Sequence, residues 1–123
     1  MSKRSRIRPF FVVPQTTGLG DRTTWQPAAD IYRTKSGWLL KFELAGVTRD
    51  DIAIEAHRSH LTVSGVRRDL LVDEYCSFYS MEIAYNRFER TVELPCDLEK
   101  ATVDFEFRNG ILLVRVGTEG GRP

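Results

Sequence analysis

From Trp25 onward the chain is written in short runs of alternating apolar and polar residues, split by turn formers. Alternation with period two is the pattern of a half-buried strand, whose successive side chains leave opposite faces of the pleat. Many such runs, with no convincing amphipathic helix among them, predict an all-β, two-sheet sandwich. Ala29–Arg33 reads as a short strand after Pro27. Trp38, Leu40, Phe42 and Leu44 alternate with Leu39, Lys41 and Glu43. Ile52, Ile54 and Ala56 alternate with Ala53, Glu55 and His57, and Arg58-Ser59 connects them to Leu61 and Val63, in a run that ends at Gly65. Phe88, Arg90, Val92 and Leu94 form a further run, stopped by Pro95. Val103, Phe105 and Phe107 alternate with Thr102, Asp104 and Glu106. Asn109-Gly110 is the strongest hairpin signal, because both residues tolerate the positive φ of a type I′ turn, and Ile111–Val116 is the return strand.

Val66–Ala84 does not fit the alternation. It is long for a loop, and loops of that length carry function or hold structure of their own. It is also apolar, with Leu70, Leu71, Val72, Tyr75, Phe78, Tyr79, Met81 and Ile83. Such residues need a cover, supplied by the domain itself or by a second subunit.

The chain has 123 residues, enough for one domain with a sizeable core, and its 28% charged and 41% hydrophobic residues suit a globular protein. Its net charge of +1 gives no reason to expect nucleic acid or a membrane as a partner. The charge is unevenly placed. In residues 1–24, Lys3, Arg4, Arg6, Arg8 and Arg22 stand against Asp21, a balance of +4 that leaves −3 on the remainder. A basic, unpatterned head containing Pro9, Pro14, Gly18 and Gly20 reads as a flexible arm on a folded domain. No apolar stretch approaches the ~20 residues of a membrane span. Phe10-Phe11-Val12-Val13, bracketed by prolines, is too short for a signal peptide, so a cytoplasmic location is expected. Cys76 and Cys96 have neither metal-ligand spacing nor the density of a disulfide scaffold. His57 and His60 lie on the polar phase of their strands, without an apparent third ligand. A nucleophile elbow, a phosphate loop and zinc spacing are all missing, so neither enzymatic activity nor a cofactor is expected.

Several motifs resemble a known family. Trp25-Gln26-Pro27 with Asp30, then Leu44-Ala45-Gly46-Val47 before Asp51-Ile52, resembles the opening of the alpha-crystallin domain of small heat-shock proteins. Leu61-Thr62-Val63-Ser64-Gly65 with Arg67 continues the resemblance, as do Glu82, Tyr85, Phe88 and Arg90, then Leu94-Pro95 and Asn109-Gly110-Ile111-Leu112. It covers residues 25–117. The resemblance implies an immunoglobulin-like antiparallel sandwich and an ATP-independent holdase that binds unfolded client proteins under stress. It implies that the 66–84 segment is the strand-exchange loop of the bacterial and plant branch. Phe78–Ile83 would then pair with Ala29–Arg33 of a second subunit, with Ile31, Tyr32, Tyr75, Phe78, Tyr79, Met81, Glu82 and Arg90 in a homodimer interface.

Some positions depart from the family pattern. Phe105 stands where a small residue is usual, four positions before Asn109, and Asn86 stands where Gly is expected. The tail 118–123 carries no Ile-x-Ile motif, which in the family builds large assemblies, so a dimer or small oligomer is expected. Phe10, Phe11, Val12 and Val13 are candidates for client capture, or for addition to the domain's own sheet edge or groove. Arg90 lies on an apolar phase and needs partners if buried. Either it pairs with Glu82 or Asp73 at a dimer interface, or it reaches out to solvent at the sheet edge. Two further functional readings stay open: an adaptor of the CS-domain kind that works as a monomer, and a regulatory subunit that co-assembles with longer small heat-shock proteins.

Overall fold

The computed structural model describes residues 5–6, 24–69 and 76–118. Among them are β1 (Ser5–Arg6), β2 (Ala29–Arg33), β3 (Gly37–Glu43), β4 (Ile52–His57), β5 (His60–Arg67), β6 (Asn86–Glu93), β7 (Thr102–Arg108) and β8 (Ile111–Gly117). They form two antiparallel sheets, one of five strands ordered β1-β7-β8-β3-β2 and one of three ordered β4-β5-β6. The helical content of the described residues is two short 3-10 turns, Arg49–Asp51 and Leu98–Lys100. No helix among the described residues is long and apolar enough to cross a membrane.

The alternation decides which faces meet. Leu40 and Phe42 of β3 join Leu112, Val114 and Val116 of β8 on the inner face of the larger sheet. Ile54, Leu61, Val63, Phe88 and Val92 answer them from the smaller sheet, while Leu44, Leu94 and Leu98 fill the ends. At about 1.5–3 kcal/mol for each large side chain fully buried, this one core is the main favourable term of the fold.

Backbone geometry follows from particular residues. Asn109 and Gly110 have φ of 53° and 79°, as the I′ turn between β7 and β8 requires. The Gly110 carbonyl accepts the Leu44 N–H at 2.7 Å, pinning that hairpin to the end of β3. Gly65 has no room for a side chain, since a Cβ there would run into the Asp51 carbonyl oxygen and the Phe88 ring. Asn86 takes a φ of 74°, a region that its short polar side chain tolerates better than most.

Three expectations change. β5 does not stop at Gly65, because Val66 and Arg67 still find ladder partners in Arg87 and Asn86. The apolar connection is therefore 68–85. Glu106, on the polar phase of β7, is nonetheless only 5% exposed. Arg115 Nη1 at 2.9 Å and Arg108 Nη2 at 3.5 Å hold its carboxylate there, and paired charge makes such burial tolerable. Finally, inside the stretch expected to be a flexible arm, Ser5 and Arg6 pair with Phe105 and Asp104 and extend the larger sheet past β7. The Phe10, Phe11, Val12 and Val13 patch, Tyr75, Asp73 and the tail beyond residue 118 lie outside the described residues.

Candidate functional site

A sheet of five strands facing one of three leaves its outer strands without a cover, and β2 is such a strand. Its register on β3 pairs Ala29 with Phe42, Ile31 with Leu40 and Arg33 with Trp38 on the inner face. Ala29 still packs on the core. Ile31 remains 42% exposed and Tyr32, on the opposite face, 44%. Charged neighbours soften the edge: the Arg33 guanidinium lies 4.8 Å over the Trp38 ring and the Lys41 ammonium 5.3 Å from the Tyr32 ring. No described strand pairs with the far side of β2, so a row of backbone N–H and C=O groups faces outward.

The β5–β6 connection supplies the complementary feature. Its described part, residues 76–85, adopts no helix or strand. Phe78 is 80% exposed, Tyr79 is fully exposed, and Met81 and Ile83 are more than half exposed. Glu82 is exposed as well, and among the described residues Arg90 finds the Pro27 carbonyl at 2.9 Å rather than Glu82. Arg90 is half-buried between Phe88 and Val92, and its bond to Pro27 ties β6 to the residues leading into β2.

Both ends of the loop are fastened by consecutive arginines. Arg67 donates Nε and Nη2 to the Ala84 carbonyl at 2.9 and 2.7 Å and Nη1 to the Ala45 carbonyl at 3.0 Å. Its guanidinium lies 4.2 Å over the Trp25 ring and 5.8 Å from that of Tyr85. Trp25 in turn exchanges backbone bonds with Arg87 and Glu89 and stacks, tilted, on Phe88 at 5.3 Å. Arg68 makes a two-pronged bond to Asp51, at 2.9 and 3.0 Å. That hydrogen bonding holds the Asp51 carboxyl below its usual 3.8, against a smaller opposing effect of burial. The sequence marked Arg67 only as part of a motif, and nothing in it pointed to Arg68 with Asp51. Their partners are distant in the chain, and backbone carbonyls leave no trace in a residue pattern.

The other candidates divide plainly. His57 Nδ1 lies 3.5 Å from Glu99 Oε2 and His60 Nε2 4.0 Å from Glu93 Oε1, both in exposed pairs. No described cluster of three or more His, Cys, Asp or Glu is placed to hold a metal ion. Cys76 is exposed in the loop. Cys96 is half-buried against the core, and burial, with Asp97 adding to it, pushes its thiol up from the ordinary range. Phe105 packs its ring partly into the core with the Arg49 guanidinium 5.9 Å above it. Asn109 and Gly110 serve the turn.

The Hsp20/alpha-crystallin family model matches residues 30–121. Small heat shock protein C2 of Rickettsia felis is 30% identical over 90 residues, covering 73% of this chain and 58% of that protein. Spore protein SP21 of Stigmatella aurantiaca is 30% identical over 86 residues, covering 70% and 51%. The chain thus spans between half and three-fifths of the length of these curated relatives. Among solved structures, hspA from Xanthomonas axonopodis aligns with a TM-score of 0.66 at 25% identity, over 78% of this chain and 96% of that one. Heat shock protein 16.0 from Schizosaccharomyces pombe aligns at 0.68 with 22% identity, over 80% and 91%, a likeness of fold. A family match over most of the chain and the two-sheet sandwich agree: this chain belongs to the Hsp20/alpha-crystallin family, the small heat-shock proteins.

Proposed function

We propose that the chain is an ATP-independent holdase that acts in the cytoplasm as a strand-exchanged homodimer. Family membership implies a chaperone role. One observation carries the finer reading: an uncovered sheet edge and an unpaired apolar loop of strand length occur in the same molecule. Among the described residues β2 has no neighbour on its outer side, and Phe78–Ile83 joins no sheet. Laying that loop along β2 of a second copy gives both chains their missing partner and removes two edges at once. Ile31 and Tyr32 then meet Phe78, Tyr79 and Met81 across the dimer. Arg90 sits beside the start of β2, where Glu82 of the second copy's loop would come within reach.

Client binding follows from the same physics. Heating populates states in which the loop, or the Phe10, Phe11, Val12 and Val13 segment, is released and offers apolar surface to unfolding proteins. Each side chain so buried contributes about 1.5–3 kcal/mol, which makes capture weak singly and promiscuous in sum. The mechanism needs no bond making or breaking and no cofactor.

The test is light scattering from a heat-labile client without ATP, at rising ratios of the full chain. Suppression of aggregation is expected, with a smaller effect after Phe10→Ser and Phe11→Ser together. If the full chain leaves the scattering curve unchanged at a severalfold excess, the autonomous holdase reading is wrong.

A further inference from the structure

We propose that Arg67 is a positioning residue that sets where the exchange loop leaves the domain relative to the β2 edge. The inference rests on the strand-exchange reading. In a two-fold dimer of that kind each chain is donor and acceptor, so loop exit and acceptor edge must keep one fixed geometry within each chain. The loop returns to the domain at Asn86, whose ladder partner is Arg67 itself. Ala84, two residues before that return, is held by two of the guanidinium donors. A third donor holds Ala45, in the turn that follows β3. β3 is the strand on which β2 lies, and the Glu43 N–H also bonds the Ala28 carbonyl at 3.0 Å. One side chain therefore links the loop's exit to the sheet carrying the acceptor edge. Trp25 closes the remaining side, with its ring under the guanidinium and its Nε1 donating to the Asn86 carbonyl at 3.3 Å.

The planar fork is what the site uses. A guanidinium presents five donors in fixed directions, so it bonds one carbonyl twice, reaches another, and still lays its face on an indole. An ammonium at the same place is a point charge that keeps the ring contact but cannot hold both carbonyls in that geometry. Without the link the loop leaves the domain in many directions, and ordering it on the partner costs more conformational entropy. The consequence is a weaker dimer with an intact core.

The experiment compares Arg67→Met and Arg67→Lys with the full unmodified chain. It reads the dimer dissociation constant by sedimentation and, in parallel, amide exchange at Leu61 and Val63 in the core. Phe78→Ser serves as the control for strand exchange. Arg67→Met should raise the dissociation constant at least tenfold and Arg67→Lys in the same direction but less, with core protection unchanged in both. A wild-type dissociation constant in both variants overturns the assignment. So does loss of core protection in both, which would make Arg67 a residue of the fold as a whole. If Phe78→Ser weakens the dimer while the Arg67 variants do not, the assignment alone fails. If Phe78→Ser also has no effect, strand exchange fails and the assignment with it.

Discussion

Leu40 and Ile31 face each other across β3 and β2, both aliphatic, both on the inner face of the same sheet. Leu40 is 0% exposed and Ile31 is 42% exposed. Their chemistry is nearly the same, and what separates them is one strand's width. Leu40 lies under the three-stranded sheet and Ile31 lies past its rim. The same contrast divides the loops. Arg58-Ser59 and Asn109-Gly110 are tight turns that bring strands back under cover, while the described part of the long connection, residues 76–85, carries Phe78, Tyr79, Met81 and Ile83 into solvent. One region of the molecule is covered within a chain, and the other exposes side chains with the composition of a core.

Substitutions at the two partners should separate these regions. Leu40→Ala leaves a cavity under the smaller sheet and should cost about 2–5 kcal/mol of unfolding free energy at any protein concentration. Ile31→Ala should cost about 0.5 kcal/mol or less in dilute samples of separated chains. Its effect should appear only where dimers form, which concentration-dependent thermal melts would reveal. Equal losses at both sites in dilute solution would erase the distinction between covered and uncovered strands.

Phe78→Ser sharpens the other half of the comparison. The monomer loses nothing it had buried, but a dimer loses about 1.5–3 kcal/mol, a rise in dissociation constant of roughly tenfold to hundredfold. Sedimentation equilibrium measures it, and an unchanged constant would place the loop outside the interface.

Arg58 bears a smaller strain inside the covered region. Its φ of 56° is a left-handed conformation that a bulky side chain adopts at a cost. Its N–H and C=O are both used, by Glu99 Oε2 at 3.0 Å and the Leu98 N–H at 2.7 Å, and a glycine would keep both bonds. Arg58→Gly should stabilise the domain by up to about 1 kcal/mol, the strain removed less the added freedom of the unfolded chain. Denaturant melts read this, and dimer affinity should stay as it is.

The least effect is expected at the loop's first fastening. The Asp51 carboxyl is held below 3.8 in the folded chain by Arg68. A lowered carboxylate pKa contributes stability that is complete above the unfolded-state value and is lost as pH falls through the folded one. Arg68→Ala should therefore raise the midpoint of acid unfolding, with most of the difference between variant and parent gone below that range. Acid titration followed by circular dichroism checks the sign, and a midpoint moved downward would contradict it. The pair is partly exposed, so salt should shrink the difference.

Much of the sandwich was legible in the sequence because burial on one face leaves a period-two trace. Leu40, Phe42, Leu61, Val63, Val92 and Leu94 are recovered from alternation alone, and Asn109-Gly110 marks its turn through positive φ. The resemblance to the family implied an interface containing Ile31, Tyr32 and the 66–84 loop; among the described residues Ile31 and Tyr32 lie on an open sheet edge, and Phe78, Tyr79, Met81 and Ile83 are exposed. Glu106 was not legible, since its burial depends on Arg108 and Arg115 closing over it and alternation assigns it to solvent. Arg67 escaped for a similar reason: its partners are the carbonyls of Ala84 and Ala45 and the ring of Trp25, brought together only by the fold.

What the sequence determined by itself is local and periodic: which segments are strands, which face of each is apolar, where the chain must turn, and that one long connection is too apolar to be an ordinary loop. What the tertiary structure decided is the unequal width of the two sheets, and from it every question of cover. Alternation tells each strand which face to bury but not how many strands stand opposite. Among the described residues, five strands over three leave β2 beyond the rim, and that count, rather than any property of Ile31 itself, leaves exposed a side chain of core chemistry.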